Sequence, residues 1–297
     1  MRWLVLCAHP DDLEFSIPSL LIALSAGAGV KGKNGPFQSA LERGRALVGG
    51  ASEVRVACLT RGEMSDLTDL TRSTRRAARI RTRELDRSQR ILCGREPDFL
   101  GFFDQKVEVT REAVKRVEEY ARAVAPHRVV APEPVFTWYP HRDHVNAGRL
   151  AYLALYRWYE STGGGDLPLL YYFQATWNDW YFPRFEAFRE AIESARAAHA
   201  SQRRILRLAR VPGFVESRFH GLRCGTKYAE ALRYQPVPAT APSARRKSFR
   251  ELAFWKRVAF YVTSRLESSA EREAYERRFE EFNDGTLQPR TRGGTSA

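Results

Sequence analysis

The sequence predicts an α/β fold in which a parallel sheet carries helices on both faces, and three observations predict it. Short apolar runs alternate with longer amphipathic stretches from residue 2 to about residue 210. The runs are bounded by loops and mostly lack polar alternation, as buried parallel strands do. Chemistry-bearing residues follow directly on the first and fourth runs, which suits the C-terminal edge of such a sheet.

Taken in order, RWLVLCA (2–8) is the first strand and runs into His9, Pro10, Asp11 and Asp12. A helix is expected from about Ser16, with Pro18 in its first turn and Gly27 as its stop. The stretch between residues 27 and 50 is glycine-rich and polar, and reads as a mobile insertion. EVRVACLT (53–60) is the second strand, followed by an amphipathic helix over 73–93 that Gly94 stops. DFLGF (98–102) is the third, followed by Asp104 and a helix from Thr110 to Ala125. RVVAPEP (128–134) is the fourth, leading to YPHRDH and a helix from about Val145. LPLLYYFQAT (167–176) is the fifth, and a long helix is expected from Phe185 to Arg210. Residues 1–235 read as one catalytic domain. Residues 236–297 read as a Pro/Ala/Ser linker, a basic amphipathic helical extension and a disordered tail.

The 297 residues are 43% hydrophobic, ample for one sizeable core. A net charge of +13 permits anionic partners without requiring them, since an arginine-rich composition also follows from genomic bias. Cys7, Cys58, Cys93 and Cys224 lie far apart and read as reduced thiols. With no signal-peptide pattern and no run long enough to span a bilayer, a cytoplasmic protein is expected.

His9, Asp11 and Asp12 and the set Tyr139, His141, Asp143 and His144 belong to one sheet edge in this fold. Two histidines and a carboxylate make a three-ligand catalytic zinc site, and the assignment is His9, Asp12 and His144. Asp11 is left to take the proton of the attacking water, and His141 to assist the oxyanion and the leaving amine. Asp143 is placed to fix a histidine tautomer, and Tyr139 to add a phenol donor. Fe2+ suits the same donors as Zn2+. Alone, either motif would cap a helix or arise by chance.

These residues resemble the PIG-L/LmbE-like N-deacetylases. AHPDD (8–12) and HRDH (141–144) match the family's two signatures. LTRGE (59–63), RTRELDRSQRILCG (81–94), AHASQ (198–202) and KYAEAL (227–232) are similar to its further elements in the same order. The resemblance implies a Rossmann-like fold and zinc-dependent removal of an N-acetyl group, usually from N-acetylglucosamine within a conjugate. It places His9, Asp12 and His144 on the metal ligands, Asp11 on the base, His141 on the electrophilic or acid histidine, and Arg81 and Asp104 on the sugar hydroxyls. The chain departs from the family in SIPSLL, where a glycine pair commonly opens the first helix.

In the segment 248–266, Leu252, Trp255, Ala259, Val262 and Leu266 share one side of a helical wheel among basic residues. That pattern suits peripheral contact with an anionic membrane, or docking on the core or a dimer partner. Two rivals to a deacetylase are carried forward: a metal-dependent hydrolase of another amide or an ester, and a noncatalytic binder of anionic partners. Specific nucleic-acid binding is not expected, since no such motif is present.

Overall fold

The computed structural model describes residues 1–25, 35–65, 72–134, 137, 141–175 and 178–238. One sheet contains β1 (Arg2–Cys7), β2 (Glu53–Cys58), β3 (Asp98–Phe99), β4 (Arg128–Pro132), β5 (Leu169–Phe173), β6 (Trp180–Pro183) and β7 (Ala229–Gln235). Their order is β3-β2-β1-β4-β5-β7-β6. The helices are α1 (Asp12–Ser16), α2 (Pro18–Leu24), α3 (Gly35–Val48), α4 (Thr74–Cys93), α5 (Arg111–Val124), α6 (Arg142–Thr162), α7 (Arg189–Ala197) and α8 (Arg203–Arg223).

The alternation of β1 sorts the core into two layers. Trp3, Val5 and Cys7 pack with α2, α3, α4 and α7 on one face, while Leu4, Leu6 and Ala8 pack with α5 and α6 on the other. In α5, Val114, Val117 and Ala121 recur at helical spacing and are buried. Each such valine contributes on the order of 1.5 to 3 kcal/mol. The ends of α4 have local causes: Ser73 Oγ accepts from the Arg76 amide at 3.3 Å, and Gly94 takes the left-handed conformation, φ 69°.

Five expectations are corrected. The first helix begins at Asp12 rather than Ser16 and breaks at Ile17 before Pro18. The supposed insertion over 27–50 contains α3, which buries Phe37, Ala40, Leu41 and Val48. The helix after β4 starts at Arg142, with His141 as its N-cap. The long helix over 185–210 is instead α7 and α8, separated by a 3₁₀ turn at Ala200–Gln202. The sheet is mixed, because β7 pairs antiparallel with both β5 and β6, two partners that fix its direction. The expected extension over 248–266 lies outside the described residues.

The four cysteines are free thiols. Among the described residues no helix is long and apolar enough to cross a membrane.

The chain proceeds outward from β1 to β2 and β3, then returns to β4 on the other side of β1. The switch point therefore falls between the C-terminal ends of β1 and β4, where such folds bind their ligands. Gly148 lets α6 press onto that edge, for a Cβ there would meet the Pro132 carbonyl at 2.2 Å.

Candidate metal centre

His9 and Asp12 follow β1, while His141, Asp143 and His144 open α6 after β4. His9 Nδ1 lies 3.0 Å from His144 Nε2, and Asp12 Oδ1 lies 3.1 Å from His144 Nε2 and 3.9 Å from His9 Nδ1. Bonds of the length zinc makes to nitrogen and oxygen put tetrahedral ligands about 3.3 Å apart, so this triangle fits such an ion. Two overlapping sets also converge on His9: His9, His141 and His144, and His9, Asp104 and Asp143.

Each of these side chains is aimed by its neighbours. Asp12 Oδ2 accepts from the Ala8 and His9 amides at 2.8 and 3.0 Å, which turns Oδ1 toward the histidines. His9 Nε2 meets Asp104 Oδ1 at 3.0 Å and Asp143 Oδ2 at 3.2 Å. Asp143, fully buried, also accepts from the Gln105 and Val107 amides at 2.6 and 3.3 Å, tying the loop after β3 to α6. His144 Nδ1 lies 3.2 Å from Gln174 Oε1, just beyond β5. An amide oxygen only accepts, so Nδ1 carries a proton, and Nε2 is the nitrogen turned toward Asp12 and His9.

The ring of His141 meets His9 edge-on at 4.7 Å and His144 at 5.3 Å. Its Nδ1 accepts from the Asp143 amide at 3.2 Å, so its neutral form carries the proton on Nε2. Burial and the neighbouring His9 and His144 push its pKa down to about 4. Burial opposes the charge on Asp12, but His144 and His9 hold it well below the usual carboxylate range. Burial would likewise lower His9, yet Asp104 and Asp143 carry it well above its ordinary value. Asp104, against the same cost of burial, falls to about 2 beside His9.

Asp11 is held by a partner of its own. Its Oδ1 meets Arg81 Nη2 at 2.8 Å, and Arg81 also donates to the carbonyls of Pro10 and Gly62 at 3.3 Å each. Burial raises the Asp11 carboxyl and Arg81 opposes that rise. Arg81 and Asp104, expected at the sugar, are each 4% exposed and already engaged with Asp11 and His9. Tyr139 lies outside the described residues.

Two contributors were not singled out from the sequence. Gln174 follows an apolar strand at the site edge, and that position was its only signal. Glu63 closes LTRGE, accepting from the Arg61 and Asp104 amides at 3.1 and 3.3 Å and so fixing the loop that carries Asp104. His199 is buried between α7 and α8, 3.4 Å from Glu14.

The molecule is thus an α/β protein with metal-capable histidines and carboxylates at the switch point of its sheet. Residues 45–155 match the PIG-L family, described as GlcNAc-PI de-N-acetylase, so the resemblance carried by the motifs is borne out. The matched stretch includes LTRGE and HRDH and stops short of AHPDD. Among solved structures, N,N'-diacetylchitobiose deacetylase from Pyrococcus horikoshii is 22% identical, with TM-score 0.62 over 79% of this chain and 84% of that one. The conserved protein TT1542 from Thermus thermophilus is 23% identical, with TM-score 0.56 over 82% and 99%. GalB, the 4-carboxy-2-hydroxymuconate hydratase from Pseudomonas putida, is 19% identical, with TM-score 0.59 over 83% and 99%. These likenesses show the fold. No protein of curated function matches the chain.

Proposed function

We propose that the protein is a metal-dependent N-deacetylase that removes the acetyl group from an N-acetylglucosamine-type conjugate, releasing acetate and a free amine. The observation that carries this reading is the meeting of His9, Asp12 and His144 beside a separately held carboxylate, Asp11. The PIG-L match over 45–155 and the deacetylase activity named for the Pyrococcus relative support the choice of an N-acetyl amide. Zn2+ or Fe2+ would be held by His9, Asp12 and His144. When bound, it supplies a Lewis acid for the amide carbonyl and acidifies water toward neutrality.

The protein's own groups account for the proton movements. Asp11, oriented by Arg81, takes a proton from the attacking water. His141, whose pKa burial holds down, donates an Nε2 hydrogen bond from its neutral form to the developing oxyanion. The proton held on Asp11 then returns to the departing amine. Asp143 holds His9 and the 105–107 loop in place. Arg81 and Asp104 are assigned to sugar hydroxyls, anchored beforehand by Asp11 and His9. Tyr139 is retained as a further oxyanion donor on its sequence position.

The test is acetate release from N-acetylglucosamine conjugates by protein stripped of metal and then reloaded with zinc. Activity that appears only on reloading, and is lost in His144→Ala, supports the reading. Bound zinc with no acetate released would overturn it in favour of another amide, an ester or a hydration of the kind named for GalB.

A further inference from the structure

We propose that the solvent-facing side of α4 is a docking surface for a membrane rich in anionic phospholipid. This helix holds seven arginines against two carboxylates, Glu84 and Asp86. Glu84 is turned inward, accepting from the Ser201 amide and hydroxyl at 2.8 and 2.6 Å. Arg75, Arg79, Arg83 and Arg87 follow one another at four-residue steps, all exposed, with Arg76 and Arg90 beside them. Arg90 pairs with Glu96. Among the described residues, Arg75, Arg76, Arg79, Arg83 and Arg87 make no ion pair.

Like charges at this spacing mildly destabilise a helix, and an external anion would relieve that repulsion. Two other surface helices balance their charge: α5 sets four basic residues against Glu112, Glu118 and Glu119, and α7 sets Arg189 and Arg196 against Glu190 and Glu193. By sequence α8 also has an excess, six arginines against Glu216, so positive charge gathers on α4 and α8 rather than spreading evenly; the row at four-residue steps is what marks α4. A shallow cavity of about 470 Å³ on this face is lined by Arg76, Arg79, Ile80 and Arg83, large enough for a phosphate headgroup.

Charge complementarity demands a polyanion, and two observations favour lipid over nucleic acid. First, α4 contains no aromatic residue on which a base could stack. From Arg75 to Arg90 it instead offers a straight convex row about 22 Å long, which suits a plane. Second, the sequence over 248–266 combines basic residues with Trp255, Leu252, Val262 and Leu266, an interfacial pattern that a nucleic acid would not require. Binding to the surface does not depend on the deacetylase reading.

The test is flotation of the full-length protein with phosphatidylcholine vesicles and with vesicles that also contain phosphatidylglycerol, at low and high salt. Binding is expected only to the anionic vesicles and is expected to weaken with salt. Arg79→Glu/Arg83→Glu removes two positive charges and adds two negative ones, so it should lower the partition by more than the roughly 30-fold expected for loss of two surface arginines. Arg79→Gln/Arg83→Gln keeps good helix formers and should show a smaller loss with an unchanged melting temperature. Wild-type protein that ignores anionic vesicles, or variants that bind them undiminished, would overturn the proposal. Displacement from vesicles by an oligonucleotide whose own binding is lost in the variants would overturn it in favour of a nucleic-acid surface.

Discussion

Gln174 Oε1 stands 3.2 Å from His144 Nδ1, and this contact decides which nitrogen of His144 faces His9 and Asp12. Outer partners of this kind change metal affinity by about 10- to 100-fold when removed. Gln174→Ala should therefore weaken zinc retention by about that factor, read by competition with a chromophoric chelator. Unchanged retention would mean that the tautomer is set elsewhere.

Arg81 is expected to act through Asp11. Arg81→Leu should lower kcat by about 10- to 100-fold while zinc stays bound. Gly62→Ala should imitate it, because a Cβ at that left-handed position, φ +64°, would meet Arg81 Nη1 at 2.1 Å. A rise in KM with kcat intact would assign Arg81 to the sugar alone.

Much of this was legible because the polar motifs stand immediately after strand ends. The first five strands were each found within a few residues, and α4 was bounded by its own cap signals, Ser73 and Gly94. The third helix, α3, was hidden by the surrounding glycines, although Pro36 marks its start and Phe37, Ala40 and Leu41 have helical spacing. The last strand, β7, was hidden for a different reason. It buries Glu230 and Arg233, so neither an apolar run nor an alternation marks it. Gln174 is a single polar residue whose partner is distant in sequence, and no local pattern announces it; Glu63 lies in LTRGE, but its contact with the Asp104 amide spans 41 residues.

Those buried charges in β7 give a stability prediction. Arg233 forms a two-pronged pair with Glu133 at 2.6 and 2.9 Å, beside the chain that leads to HRDH. Arg233→Leu removes the guanidinium from the buried Glu133 carboxylate and should cost about 3–5 kcal/mol. In a chain of this size that lowers Tm by about 10 °C in a thermal melt. Replacing both partners by leucine should recover part of the loss. If the double variant is the less stable, the pair is net stabilising.

The buried contact of Glu14 with His199 sets a pH window. Burial opposes both charges, yet Glu14 is held below its ordinary 4.5 and His199 above its ordinary 6.5, each by the other. The Glu14 contribution is present above pH 4.5 and fades as pH falls through its lowered value. The His199 contribution is present below pH 6.5 and fades as pH rises through its raised value. Urea unfolding of metal-stripped wild type and His199→Asn should differ most between those limits. A difference that stays flat with pH would contradict the pairing.

The central claim is that Asp11 is the base beside a metal held by His9, Asp12 and His144. Acetate release by zinc-loaded Asp11→Asn, set against wild type on the same conjugates, tests it most directly. The account predicts equal zinc content and a large fall in kcat for the variant. Equal rates from the two proteins would contradict it.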